Sequence, residues 1–177
     1  MALDPWSQKS MKTWWIVAND SPSSKKGGWH WKQFFASALR TSRPYWWGGS
    51  DWIRSGPSLA LIREMRKGDL IVAYQAKVGI IGFARLASNG YSKHDGSLPD
   101  CFDLSTRGAV KLATPIPLSA VRALPDARDD IGFVKFQQST VHRVSPQGRR
   151  RLGLLAGAFD PRVATRCRRW AGVGGGR

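Results

Sequence analysis

The sequence predicts an α+β fold, a small mixed β-barrel with helices packed outside it. Three observations carry that expectation. A length of 177 residues with 42% hydrophobic content suits one domain with a real core. Short segments rich in β-branched and aromatic residues outnumber the amphipathic helical ones. Their order is strand, helix, loop, helix, two strands, loop, two strands, helix, with no internal repeat.

TWWIVAND (13–20) has the composition of a strand and ends on the turn signal Asn19-Asp20-Ser21-Pro22. In an extended 13–18, Trp14 and Trp15 point to opposite faces. SSKKGG (23–28) reads as a basic loop. WHWKQFFASALR (29–40) places Trp31, Phe34, Phe35, Ala38 and Leu39 at helical spacing, which predicts an amphipathic helix with Trp31 on its buried side. RPYWWGGSDWIR (43–54) crowds Tyr45, Trp46, Trp47 and Trp52 around Gly48 and Gly49, and reads as a loop.

SLALIREMRKGD (58–69) carries Leu59, Ile62 and Met65 between charges. It reads as a helix, with Gly68 just past its end and Arg63, Arg66 and Lys67 favouring its C-terminal dipole. DLIVAYQ (69–75) and VGIIGFARLAS (78–88) are strands across a tight connection, and Gly79 and Gly82 signal close backbone approach or a bulge. YSKHDGSLPDC (91–101) is a loop. A strand follows within 108–124, where Pro115 and Pro117 mark an edge or an exit. PDARDD (125–130) is a turn, and FVKFQQSTVHRV (133–144) alternates as a strand. SPQGRRRLGLLAGAF (145–159) opens with a capping Ser145 and Pro146 at the first helical position. Residues 1–11 form a polar leader, 12–158 the domain, and 159–177 a basic tail, poorly ordered on its own.

Net charge is +16 and the sequence pI is near 10.9, a balance that favours an anionic partner, of which nucleic acid is the commonest. Nine tryptophans among so many cations strengthen this expectation, because base stacking uses exposed aromatics beside positive charge. No apolar run reaches the ~18 residues that a membrane helix requires. The N-terminus lacks a secretory pattern, and Cys101 and Cys167 read as free thiols of a cytoplasmic protein. Cofactors and metals are not expected. Eleven Asp and the single Glu64 give little for two-metal chemistry, and His30, His94 and His142 are isolated. The loop HDGSLPD (94–100) is the one local gathering of a His with two Asp.

In order, TWWIVAND, WWGGSDW, LALIREMRKGDLIVAYQ and VGIIGFARLAS resemble the EVE domain of the PUA-like superfamily, which also holds the YTH and ASCH domains. LATPIPLSAV and VKFQQSTVHRVS are similar to the family's closing strands, so the likeness covers residues 12–158. It implies a PUA-like mixed β-barrel with helices packed outside, and a pocket where aromatic side chains enclose one nucleobase, often modified. Trp47, followed by Gly48, matches the family's cage tryptophan, with Trp46 the alternative. Asn19 falls where YTH members place a base-reading Asn, and Tyr74 matches the family's strand-ending Tyr. Ser50-Asp51-Trp52 departs from the Arg-Asn of many members.

Each base-binding candidate has a plainer alternative. Trp47 either stacks on a base or plugs the core, and so does Trp46. Trp52 is a second wall or a core ring. Asn19 and Asp20 either address a base edge or form an Asx turn before Pro22. Asp51 accepts from an exocyclic amine or caps the next helix. Tyr74 and Gln75 close a strand at the same mouth, and Tyr74 is alternatively a core ring. Trp29, beside the basic loop, is placed to stack near the mouth; Gln137 and Gln138 are weaker candidates. Lys25, Lys26, Arg40, Arg43, Arg54, Arg85, Lys135 and Arg143 are candidate phosphate contacts, as is the cluster Arg149, Arg150 and Arg151. Across 149–177, eight Arg against one Asp give +7.

The expected function is a reader, not a catalyst: one nucleotide, in DNA rather than RNA, is flipped into an aromatic slot. The family likeness allows association with a nuclease or other effector. The alternatives are shape recognition of structured RNA by the arginine surface, and an ASCH-like nucleoside hydrolase that would use Lys77 or Lys135.

Overall fold

The computed structural model describes residues 11–18, 31–38, 43–48, 56–92, 101–137 and 139–172; the side chains of residues 45–48, 56, 57 and 59 lie outside that description. The β-branched and aromatic run forms β1 (Thr13–Ala18), and the helical spacing after it forms α1 (Trp31–Ala38). β2 is Tyr45–Gly48 and α2 is Gly56–Glu64. β3 (Leu70–Gln75) and β4 (Gly79–Leu86) follow, then the long β5 (Cys101–Ile116). Three short helices come next: α3 (Leu118–Arg122), α4 (Ala127–Asp130) and α5 (Gly132–Lys135). β6 (Val141–Val144), α6 (Pro146–Phe159), a 3-10 turn (Pro161–Val163) and α7 (Ala164–Ala171) complete the described chain.

The fold is α+β, with one mixed sheet in the order β2-β5-β4-β3-β1-β6. β1 runs parallel to β3, and the other neighbours are antiparallel. β2 and β6 are its edges, so the described sheet does not close into the expected barrel. Other groups occupy the outer side of β6. Ile131 bridges to Val144, and the Ser58 hydroxyl of α2 accepts from the amides of Thr140 (3.3 Å) and Val141 (3.4 Å). These contacts occupy both ends of the edge strand, which limits what it can offer a further strand.

Trp14 and Trp15 divide between the two faces. Trp14 joins Ile16, Ile71, Ala73 and Phe102 in a core covered by Trp31, Phe34 and Phe35 of α1. Trp15 joins Val72, Tyr74, Phe83 and Val110 in a core covered by Phe133, Leu152, Cys167 and Trp170. Each large apolar side chain moved from water into such a core stabilises by roughly 1.5–3 kcal/mol.

The glycines behave as expected. A Cβ on Gly82 would stand 2.2 Å from the Val110 carbonyl oxygen and 2.6 Å from Phe35, and the β4–β5 register shifts beside it. The Lys67-Gly68-Asp69 turn also acquires a physical reason. Gly68 has φ +93°, and the buried Asp69 carboxylate accepts from Trp14 Nε1 (2.8 Å), the Lys12 amide (3.1 Å) and the Arg66 amide (3.0 Å).

Four further expectations require correction. Residues 45–48 of the aromatic segment are a strand, not a loop, paired with the start of β5, where Cys101, Phe102 and Leu104 are buried. The strand expected over 133–144 begins as helix α5. Phe133 stacks on Trp15 at 5.1 Å from there, and only Val141–Val144 extends along β1. β5 is longer than expected; Pro115 is tolerated because no strand lies on its outer side beyond Leu104.

The fourth correction concerns the tail, which is ordered through Gly172. Cys167, Trp170 and Ala171 of α7 are buried, Trp170 Nε1 donates to the Ala84 carbonyl (3.3 Å), and its ring lies 4.3 Å from Phe83. α7 approaches α6 closely at Gly153, where a Cβ would meet Ala171 Cβ at 2.3 Å. The capping at 145–146 stands as expected: Ser145 Oγ accepts from the Gly148 amide (2.9 Å), with Pro146 in the first turn.

Candidate nucleic-acid interface

β1 ends at Ala18, in register with Gln75 at the end of β3, so Gln75 stands at the point where the chain leaves toward Asn19. Gln75 is fully buried. Its Oε1 accepts from the Trp31 amide (3.2 Å) and so holds the start of α1, while its Nε2 has no hydrogen-bond partner among the described residues. Leaving such a buried donor unmade costs about 1–3 kcal/mol. Trp31 takes the core role expected of it: its indole N–H reaches both the Ile16 carbonyl (3.2 Å) and the Tyr74 carbonyl (3.1 Å), tying α1 across β1 and β3.

Tyr74 falls on the other face. It is buried, its ring lies 5.1 Å from Trp15 and 4.8 Å from Phe133, and burial raises its phenol pKa. This position matches its core alternative. In β2, Trp46 is in register with Asp103 and Trp47 with Phe102. Phe102 belongs to the core that Phe34 and Phe35 cover, so α1 links the β2 backbone's neighbour to the Gln75 end of β3. Asn19, Asp20, Lys25, Lys26, Trp29, Arg40, Asp51, Trp52, Arg54 and Gln138 lie outside the described residues, as does the 94–100 loop.

Among the cations, Arg43 and Lys135 are exposed. Arg143 is paired with Glu64, which also accepts from Lys12 Nζ (2.8 Å). The Lys12 hydrogen bond and the Arg143 charge hold the Glu64 carboxyl below its ordinary pKa. Arg85 is half-buried, with Nη1 3.4 Å from the Gly68 carbonyl; burial, and then the charge of Arg149, lower its pKa. Arg151 is held by Asp126 and Asp130. His142 is buried, its Nε2 2.7 Å from the Ser139 carbonyl, and burial lowers its pKa. Cys101 and Cys167 are buried free thiols, and burial pushes Cys167 up to about 11. Among the described residues no helix is long and apolar enough to cross a membrane.

Sequence reasoning missed two things. The first is the buried Gln75 amide as the anchor of α1, which only the β1–β3 pairing reveals. The second is the placement of Arg166 and Arg169 of α7 beside Arg85. The spacing of Cys167, Trp170 and Ala171 at i, i+3 and i+4 was the available signal that α7 is amphipathic and docks.

No family model and no curated protein matches the chain. Solved structures do. Rpa0253 from Rhodopseudomonas palustris is 22% identical, with a TM-score of 0.62 over 84% of this chain and 93% of that one. Atu2648 from Agrobacterium tumefaciens is 18% identical, with a TM-score of 0.60 over 92% of this chain and 94% of that one. Human THYN1, solved in complex with 5-methylcytosine-containing DNA, is 15% identical, with a TM-score of 0.57 over 76% of this chain and 91% of that one. The DUF55 domain of human thymocyte nuclear protein 1 is 15% identical, with a TM-score of 0.58 over 75% of this chain and 91% of that one. The chain therefore shares its α+β fold with these structures.

Proposed function

We propose that this chain is a nucleic-acid-binding reader that flips one modified base, in DNA, into an aromatic slot. The observation that carries the proposal is the shared fold with human THYN1, whose structure holds 5-methylcytosine DNA. A net charge of +16 supports it from the side of electrostatics. Trp47 is assigned as the stacking wall, Trp52 as its partner, and Asn19 and Asp51 as readers of the base edge. Gln75 positions the slot through α1, and its unpartnered Nε2 is a donor at the strand end that leads to Asn19.

Flipping costs a few kcal/mol, and stacking returns ~1–3 kcal/mol per base. Phosphate contacts from the cationic surface supply the remainder. An added methyl group discriminates by only ~1–3 kcal/mol, so polar contacts to the base edge set the selectivity. The proposed role is binding, with any chemical step left to a nuclease or other effector.

The test is a binding panel: duplexes bearing methylated or hydroxymethylated cytosine or methyladenine against plain duplexes, with RNA counterparts, on wild type and Trp47→Ala. The expected result is a preference for one modified duplex that the substitution abolishes. Equal affinity for every member, unchanged by Trp47→Ala, removes the proposal.

A further inference from the structure

Arg85 of β4 and Arg166 and Arg169 of α7 form a cationic group around Gly108 (φ +75°), where β5 turns out of its register with β4. Arg85, Arg166 and Arg169 line a cavity of about 150 Å³ with Gly108, Val110 and Trp170. Arg149 of α6 lies outside that lining, and its charge acts on Arg85. Among the described residues none of the four makes an ion pair. Arg166 Nη2 donates to the Ala109 carbonyl (2.5 Å), and Arg85 Nη1 is only 3.4 Å from the Gly68 carbonyl and from Met11 Sδ.

Arg149 is the most deeply buried of the four: it is 6% exposed, and among the described residues its Nε has no hydrogen-bond partner. A buried charge is retained at a large cost unless an opposite charge compensates it. Neighbouring arginines in the same chain fare differently: Arg151 has Asp126 and Asp130, and Arg162 has Asp160. Charge compensation is thus available elsewhere on these helices and is missing at this cluster. A guanidinium is a planar fork of donors matched to phosphate oxygens. The cavity is roughly five times the ~30 Å³ share of one liquid water, enough for a phosphate group with a water beside it.

We infer that the cavity between β4, the β5 turn and α7 binds a single phosphate group, gripped by Arg85, Arg166 and Arg169, with Arg149 supplying further positive charge. The carrier is either a nucleic-acid backbone or a small phosphorylated molecule. The inference depends on the reader proposal only for the choice of carrier.

Inorganic phosphate is titrated calorimetrically into the full chain, in chloride buffer of matched ionic strength. Wild type is expected to bind one equivalent, and Arg166→Gln/Arg169→Gln, which changes two exposed side chains, to bind none. Arg149→Met is expected to raise the urea midpoint in phosphate-free buffer while weakening phosphate binding. No binding by wild type, or equal binding by the double variant, overturns the site; so does a lowered midpoint for Arg149→Met. Salt titration on an unmodified duplex then identifies the carrier. A slope in log K against log salt smaller by about 0.9 in the double variant assigns the phosphate to the backbone. An unchanged slope assigns it to a small phosphorylated molecule. Loss of modified-base preference in Trp47→Ala leaves phosphate binding intact, so the two proposals fail separately.

Discussion

Trp14 and Trp15 are chain neighbours, yet they serve two cores built by different rules. On the Trp14 face the indole N–H is taken by Asp69, and the covering helix α1 is the next described element along the chain. On the Trp15 face the indole N–H has no partner among the described residues. The cover there comes from α5, α6 and α7, more than a hundred residues further on. The first face is organised by a buried carboxylate that accepts from three N–H groups. The second is organised by ring contacts, Trp15 with Tyr74 and Phe133, and Trp170 with Phe83. The comparison teaches that a polar latch and an aromatic stack close opposite sides of one sheet. They should therefore fail differently.

The largest effect should come from the second face. Trp170→Ala removes a nearly buried ring from the junction of α7 and β4 and should cost about 3–5 kcal/mol, read by urea unfolding. A loss below ~1 kcal/mol would mean that α7 adds nothing to this core, and the contrast between faces would collapse. Next comes the latch. Asp69→Ala leaves the buried Trp14 N–H without its acceptor and should cost about 2–3 kcal/mol. The indole fluorescence of Trp14 should shift in the same variant.

Smaller effects separate the faces by pH. His142 stands opposite Trp15 and packs edge-on against Phe133, and its pKa lies below the ordinary 6.5. The folded state prefers the neutral ring, so its contribution is present above pH 6.5 and is lost as pH falls through the folded value. The slope should not exceed about 1.4 kcal/mol per pH unit, the limit for one proton, and His142→Phe should flatten it. Glu64 sits on the Trp14 side with Lys12, whose Nζ lies 5.7 Å from the Trp14 ring. Its carboxyl is below the ordinary 4.5, so its contribution is present above that value and disappears only in stronger acid. Glu64→Gln should cost less than about 1 kcal/mol at neutral pH, because the pairs are solvent-exposed. A loss well above that would place the network among the structural elements of the first face.

Legibility followed the same division. The helix at Trp31, Phe34 and Phe35 was readable because its apolar spacing needs only its own turn to be seen. Gly79 and Gly82 were readable as points of close approach, since a side chain there strikes backbone. Phe133 was misassigned because alternation over 133–144 fits a strand, while the docking of Phe133 on Trp15 and His142 favours a helical turn. Residues 45–48 read as a loop because glycines dominate the local signal, and their pairing with β5 is a long-range event. Of the candidate site, the Gln75 position was readable at the end of a strand. Its service to the α1 amide was not, because Trp31 is 44 residues away in sequence.

By itself the sequence determined the strand and helix content of the sheet core, the division of Trp14 and Trp15 between faces, the Ser145 cap and the cationic balance. Each of these depends on periodicity, local backbone chemistry or a sum over residues. Only the tertiary structure decided that the described sheet keeps two edges, that α7 belongs to the second core, that Gln75 and Asp69 act as buried anchors, and that Arg85, Arg166 and Arg169 line one cavity with no ion pair among the described residues. Those features depend on contacts between residues distant in the chain, whose free energy exists only once the backbone has brought them together.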